Sequence, residues 1–120
     1  MARILIVDDS PTEVHILKTM LEKAGFEILV AETGEQGVEV AKAERPDCVL
    51  MDIVLPGLNG FQATRQLTKA QETAEIPVIM VTNKDQETDK VWGLRQGAKD
   101  YITKPVQEGE LVEKVQAVLG

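Results

Sequence analysis

Five polar residues of this sequence stand at the ends of short apolar runs, and their types suit the binding of a divalent cation. They are Asp8 and Asp9 after the first run, Asp52 in the third, Thr82 after the fourth and Lys104 after the last. Carboxylate oxygens are the ligands that a hard cation such as Mg²⁺ prefers. If the first and third runs are neighbouring strands, the three acids lie close together.

Crowded carboxylates need a neutralising partner. Two of them about 4 Å apart repel by about 4 kcal/mol at an effective dielectric constant of about 20, so a proton or a cation must be present. Mg²⁺ is often held by one or two carboxylates, with waters and a phosphoryl oxygen completing its shell. A single Asp after a strand more often caps a helix or begins a turn. A capping or turn role explains one polar residue after a strand, but it does not readily explain all five.

The apolar runs themselves are typical of buried strands. They cover residues 4–7, 28–31, 48–53, 78–81 and 101–102. The first, third and fourth lack polar alternation, which favours strands covered on both faces of a parallel sheet. In such open sheets, chemistry takes place at the carboxyl ends of the strands.

Helical patterns separate these runs. Capping boxes are predicted at Ser10–Glu13 and at Thr33–Gln36, and Asn59 is expected to cap the third helix. We expect these helices to end at Gly25, near residue 45 and near residue 71. A fourth helix is expected over about 86–96, and a fifth carries apolar residues on one face. Strand–helix alternation repeated five times predicts a single α/β domain over residues 1–120 with right-handed crossovers and no effector domain.

Composition narrows the possible partners. The net charge is −7 with a pI of about 4.7, so the long-range field repels nucleic acid and anionic lipid. Cys48 is the only cysteine, which excludes an internal disulfide and is consistent with a cytoplasmic location. No apolar run approaches the ~20 residues that span a bilayer, so membrane insertion is not expected.

The spaced set of polar residues resembles the CheY-like response-regulator receiver family along the whole chain. The resemblance implies a flavodoxin-like (βα)5 fold with the strand order 2-1-3-4-5, which is also the order that CheY illustrates. It makes Asp52 the acceptor of a phosphoryl group from a histidine kinase. It further implies Mg²⁺ at Asp9 directly, at Asp8 through water or by orientation, at Asp52 and at the backbone carbonyl of Val54. Lys104 would pair with the phosphoryl oxygens.

The same resemblance implies a switch. The hydroxyl of Thr82 would turn to the phosphoryl group, and Tyr101 would move inward to fill the vacated space. These moves would reshape the surface of the fourth helix, fifth strand and fifth helix, which binds a partner protein. The family also implies a cis peptide bond before Pro105. Asn83 departs from the common Ala or Gly at its position and is able to crowd access to the phosphoryl group.

The runs at residues 57–67 and 84–93 resemble PilH-type regulators of twitching motility. That resemblance implies a CheA-like histidine kinase as the phosphoryl donor and control of a type IV pilus system through a protein of the motility machinery. Whether the chain has an output partner or serves as a phosphate sink stays open at this point.

Other function classes fit less well. An Asp-nucleophile phosphatase commonly has a second Asp two residues after the nucleophile, where this chain has Val54. No G-x-G-x-x-G follows the first strand, which disfavours dinucleotide binding. A receiver that never takes phosphate is disfavoured by the intact polar set. We expect Cys48 to be a core residue, His15 to face solvent and Trp92 to lie at an interface.

Overall fold

The computed structural model describes residues 1–120 and alternates strands and helices throughout. The elements in chain order are β1 (Arg3–Val7), α1 (Pro11–Lys23), β2 (Glu27–Ala31), α2 (Gly34–Glu44), β3 (Cys48–Met51), α3 (Gly60–Lys69), β4 (Val78–Thr82), α4 (Glu87–Arg95), β5 (Asp100–Thr103) and α5 (Glu108–Leu119). All ten predicted elements are present. None of the five helices combines the length and the apolar composition of a membrane-spanning segment.

The five strands form one parallel sheet in the order β2-β1-β3-β4-β5, as the family resemblance implies. Its register brings the strand ends level, because Val7 pairs with both Ala31 and Met51. On the other side of the sheet Thr82 pairs with Thr103. The carboxyl ends of all five strands therefore lie along one edge, and the residues that follow them share that edge.

The sheet is covered on both faces by aliphatic side chains. Alternate residues of the central strands point to opposite faces, so Leu5 and Val7 pack on one side and Ile4 and Ile6 on the other. The first side is covered by α2 and α3 and the second by α1 and α5, through these buried residues: Val38, Ala41, Ala63, Leu67, Leu17, Leu21, Leu111 and Val115. Cys48 belongs to the second cluster and is fully buried, as expected.

Several predicted boundaries need correction. β3 ends at Met51 and not at residue 53, since Asp52 and Ile53 already begin the loop toward α3. α3 ends at Lys69, two residues early, because Ala70 takes an extended conformation with φ −77° and ψ 131°. Asn59 does cap α3, and its reciprocal capping box with Gln62 is complete.

The other two predicted capping boxes are incomplete. Ser10 caps α1 by accepting a bond from the Glu13 amide at 3.3 Å, but the Glu13 side chain does not return to Ser10. At α2, Thr33 accepts from the Gln36 amide, and the Gln36 side chain bonds the amide of Glu32 instead of that of Thr33. The helix starts were thus predicted correctly from one half of each box.

Candidate functional site

The ammonium group of Lys104 joins two carboxylates at the carboxyl edge of the sheet. Its Nζ lies 2.8 Å from Asp8 Oδ2 and 3.0 Å from Asp52 Oδ2. The three residues follow β5, β1 and β3, and all three are buried. A lysine 52 residues from one acid and 96 from the other along the chain therefore supplies the neutralising charge that the crowded acids require.

Backbone amides fix the other oxygen of each carboxylate. Asp8 Oδ1 accepts a bond from the Ser10 amide at 2.9 Å, and Asp52 Oδ1 accepts one from the Ile53 amide at 2.7 Å. Each acid thus points one oxygen at its own turn and the other at Lys104. The two side chains are held in fixed directions before any ligand arrives.

Protonation of this cluster follows from its burial. Burial raises the pKa of the Asp8 carboxyl above its usual value, although hydrogen bonds from Lys104 and the Ser10 amide act in the opposite direction. Burial alone would lower the pKa of Lys104, but its bonds to Asp8 and Asp52 outweigh that effect and its pKa is raised. Lys104 is therefore charged at neutral pH.

Asp9 and Val54 are exposed and follow the buried Asp8 and Asp52 by one and two residues. No three acidic, histidine or cysteine side chains stand close enough together to hold a metal ion as a group. Asp8 and Asp52 are instead joined through the Lys104 ammonium. Mg²⁺ needs only one or two carboxylates and retains several waters. A buried carboxylate pair with a further exposed acid beside it fits that chemistry.

Glu13 is a neighbour that the sequence did not single out for this cluster. Its Oε2 lies 3.8 Å from Lys104 Nζ, and its side chain is 34% exposed. The sequence predicted only a capping role for it. Its position in the first turn of α1, four residues after Asp9, was the available signal.

Thr82 and Tyr101 both contact the segment that follows β4. Thr82 is fully buried and its hydroxyl oxygen accepts a long bond from the Lys84 amide at 3.4 Å. The Tyr101 hydroxyl donates to the Lys84 carbonyl at 2.7 Å. Burial, followed by the nearby charges of Asp89, Asp52 and Asp85, raises the pKa of Tyr101 to about 12. A movement of this segment would therefore change a hydrogen bond of both side chains.

The loop between β3 and α3 holds Asp52 in place. The Gly60 amide donates to the Ile53 carbonyl at 2.8 Å, and a Cβ at Gly60 would overlap the Asp52 carbonyl. From α2, both carboxylate oxygens of Glu35 accept from the Leu58 amide, at 3.3 and 3.2 Å. No local sequence pattern indicates this role of Glu35.

The peptide bond before Pro105 is cis, as the family resemblance implies. His15 faces solvent, as expected. Burial raises the pKa of the Cys48 thiol to about 12, which makes it a poor nucleophile.

Comparison with known proteins agrees with this geometry. The family model described as "Response regulator receiver domain" matches residues 4–116. The chain belongs to the response-regulator receiver family. A receiver domain is a regulatory module and not a classical enzyme.

One curated relative of this receiver is Protein PilH of Pseudomonas aeruginosa. The two are 69% identical over 119 residues, which cover 99% of this chain and 98% of the relative. This level of identity confirms the predicted resemblance to PilH-type receivers.

Two solved structures show the same fold. A putative response regulator from Chloroflexus aurantiacus is 32% identical, with a TM-score of 0.95 over 98% of this receiver and 97% of the other chain. The receiver domain of a sensor histidine kinase from Pseudomonas aeruginosa is also 32% identical, with a TM-score of 0.92 over 99% and 98% of the two chains. That second structure has a magnesium ion coordinated in its active-site cleft.

Proposed function

We propose that this receiver accepts a phosphoryl group on Asp52 from a CheA-like histidine kinase in the cytoplasm. The observation that carries the proposal is the bridge from Lys104 to Asp8 and Asp52. It holds the Asp52 carboxylate in a fixed direction, as a positioned nucleophile requires. It also places a cation beside the position where phosphoryl oxygens would arrive.

The transfer needs few changes at this site. The Oδ2 atom of Asp52 forms the new bond to phosphorus while the bond from phosphorus to the donor's histidine nitrogen breaks. Lys104 then exchanges its contact with Asp52 Oδ2 for one with a phosphoryl oxygen and keeps Asp8. Asp9, Asp52 and the Val54 carbonyl would hold Mg²⁺, with Asp8 acting through water or by orientation, and the ion would supply neutralising charge for the phosphoryl oxygens.

The proposed output is a population shift at the surface formed by α4, β5 and α5. Thr82 would leave the Lys84 amide, to which its bond is already long, and turn to the phosphoryl group. Tyr101 would give up the Lys84 carbonyl and move inward. The local change in charge thus biases two arrangements of one loop.

The identity to PilH extends the proposal to regulation of twitching motility by type IV pili. We propose that the receiver acts through its own surface on a protein of the motility machinery. Neither nucleic acid nor a membrane is part of this proposal, because the chain carries a net charge of −7.

Phosphorylation is tested with acetyl phosphate and Mg²⁺, followed by intact-mass measurement. The wild type should gain one phosphoryl group and Asp52→Asn should gain none. Asp85→Asn, which removes an exposed aspartate in the same part of the fold, is the matched control and should label like the wild type. Equal labelling of Asp52→Asn would assign the phosphoryl group to another residue.

A separate experiment distinguishes an output role from a phosphate sink. Wild type and Asp52→Asn are immobilised, with and without beryllofluoride and Mg²⁺, and exposed to purified components of the motility system. An output role predicts a protein retained only by the beryllofluoride form of the wild type. Retention of the kinase alone would favour the sink.

A further inference from the structure

Basic and acidic residues are unevenly distributed over this receiver. α3 is the only helix without an acidic residue, and residues 90–99, which include the end of α4, contain none either. The chain as a whole has 20 acidic residues and 13 basic ones. These two segments hold the following basic residues: Arg65, Lys69, Lys90, Arg95 and Lys99. α3 and the end of α4, which pack against each other, are therefore locally basic, although Glu87 and Asp89 lie at the start of α4.

Helix ends explain only part of this distribution. Lys69 and Arg95 lie in the last turns of α3 and α4, where a positive side chain complements the helix dipole. Arg65 lies in the middle of α3, where the dipole has no such effect. The other helices also carry acidic residues, whereas α3 carries none.

A groove separates α3 from α4 in this basic region. Across it, Arg65 Nη1 lies 3.5 Å from Gln96 Oε1. A cavity of about 490 Å³ opens between the two helices and is lined by Phe61, Arg65 and Trp92 among others. We call this cavity, with Trp92 and Arg95 at its α4 side, the α3–α4 groove.

Apolar side chains are exposed on α4, and one of them, that of Trp92, lines the groove. Trp92 is 50% exposed, and its neighbours Val91 and Leu94 are 43% and 49% exposed. A second cavity of about 330 Å³ also borders Trp92 and is lined by Val91, Arg95 and the acidic Glu87 among others. A tryptophan that borders two cavities, with arginines at the rim, combines the residue types that dominate binding energy at protein interfaces.

We infer that the α3–α4 groove binds an acidic segment of a partner protein, with an apolar side chain of that segment beside Trp92 and its carboxylates facing Arg65 and Arg95. Charge complementarity selects this occupant. A nucleic acid would meet the long-range repulsion of the whole chain, whereas a short segment with a few carboxylates meets mainly the local positive field.

The groove is present without any phosphoryl group, so its occupation does not depend on the function proposed above. Asp52→Asn should bind the acidic segment as the wild type does. A failure of phosphorylation and a failure of this inference can therefore be told apart.

Trp92 is the only tryptophan, and its fluorescence reports directly on the groove. The probe is a synthetic amphipathic peptide with leucines on one face and glutamates on the other. The control peptide has lysines in place of the glutamates. The glutamate peptide should shift Trp92 emission to shorter wavelength with saturation, and its affinity should fall as salt is added. The lysine peptide should produce no saturable shift.

Charge reversal tests the role of the two arginines. Arg65→Glu combined with Arg95→Glu should weaken binding of the glutamate peptide by at least about tenfold. Lys18→Glu combined with Lys42→Glu changes the net charge equally, on exposed positions of α1 and α2, and should bind like the wild type. Thermal unfolding of both variants checks that they fold.

Three results would overturn the inference. They are the absence of a shift with the glutamate peptide, equal binding of the two peptides, and an unchanged affinity in the arginine variant. A shift caused by single-stranded DNA, or by raising the concentration of the receiver alone, with none from the peptide, would also overturn it by assigning the groove to another occupant.

Discussion

At the scale of single residues, Lys104 is the cation that allows two buried carboxylates to lie together. Its bonds to Asp8 and Asp52 are 2.8 and 3.0 Å long, and removal of one partner from a buried ion pair leaves uncompensated charge. The site is thus stable in its resting form and becomes unstable if the ammonium group is lost without replacement.

Lys104→Met should destabilise the protein by about 3 kcal/mol at neutral pH, since breaking a buried pair commonly costs that much. Asp8 already has a raised pKa through burial, and loss of the ammonium group raises it further. A carboxyl whose pKa is raised on folding stabilises the folded state at low pH. That contribution is lost as the pH rises from 3.8, the ordinary pKa of the Asp8 carboxyl, through its raised pKa in the folded protein. Urea unfolding of the variant at several pH values should therefore show falling stability over this range.

The matched control for that series is Asp8→Asn combined with Lys104→Met. It removes the buried acid together with its partner, so its stability should depend less on pH than that of the single variant. The same pH dependence in both variants would show that Asp8 is not the responsible group.

Tyr101 offers a direct measurement because it is the only tyrosine. Its pKa of about 12 predicts that tyrosinate absorbance appears well above the ordinary pKa of 10, and Asp89→Asn should lower the midpoint by removing a neighbouring negative charge. The unfolded chain loses this proton first, so stability should fall as pH rises from about 10 to 12. An ordinary midpoint in folded protein would contradict the burial of Tyr101 and the effect of the carboxylates near it.

Residue types and spacing were sufficient to nominate the cluster, but they did not give its contacts. Asp8, Asp52 and Lys104 could be selected because each stands at the end of a strand-like run. The bridge from Lys104 to the two acids depends on the register of three strands. Glu13 lies beside Lys104, although the capping-box pattern predicts that its side chain bonds Ser10. Long-range contacts of this kind are fixed by the fold and not by local sequence.

At the scale of elements, the loop between β3 and α3 is built around a close backbone approach. Gly60 begins α3 directly against the Asp52 carbonyl and Ile53 Cα. A side chain there has no space, because the obstructing atoms are backbone atoms. The start of α3 and the direction of Asp52 are therefore linked.

Gly60→Ala should destabilise the fold by about 2–3 kcal/mol, as overpacking does, and should slow labelling by acetyl phosphate because Asp52 must shift. Gly109→Ala is the control, since a Cβ in that part of α5 meets nothing within 4 Å. It should stabilise the protein by about 0.5–1 kcal/mol through helix propensity. Urea unfolding and mass spectrometry measure the two effects. Similar stabilities of the two variants would contradict the close approach.

The elements were predicted well in type and less well at their ends. Polar N-caps such as Asn59 mark helix starts through a local bond, so sequence is enough to locate them. The end of α3 at Lys69 and that of β3 at Met51 have no such mark. They are set by where the chain must turn to connect packed layers, which depends on tertiary structure.

At the scale of the whole molecule, the strand order decides the chemistry. With β1 between β2 and β3, and β4 next to β3, the ends of β1 and β3 adjoin and carry the acids, while β5 brings Lys104 from the edge of the sheet. The alternation of strands and helices predicts a parallel sheet, but the order itself came from family resemblance. Many strand orders would bury the same apolar runs, but only some of them would bring the acids and Lys104 together.

Because the molecule carries a net charge of −7 and gathers acids at this edge, the proposed cation site predicts stabilisation by Mg²⁺. At ten times its dissociation constant, Mg²⁺ should add about 1.4 kcal/mol to the free energy of unfolding, which corresponds to a rise of about 5 °C in Tm. NaCl at equal ionic strength controls for general screening of the acidic surface and should have a smaller effect. Asp9→Asn combined with Asp52→Asn should lose the Mg²⁺-specific rise. If that variant and the wild type respond equally to Mg²⁺ in calorimetry, the ion acts on the overall charge and not at this edge of the sheet.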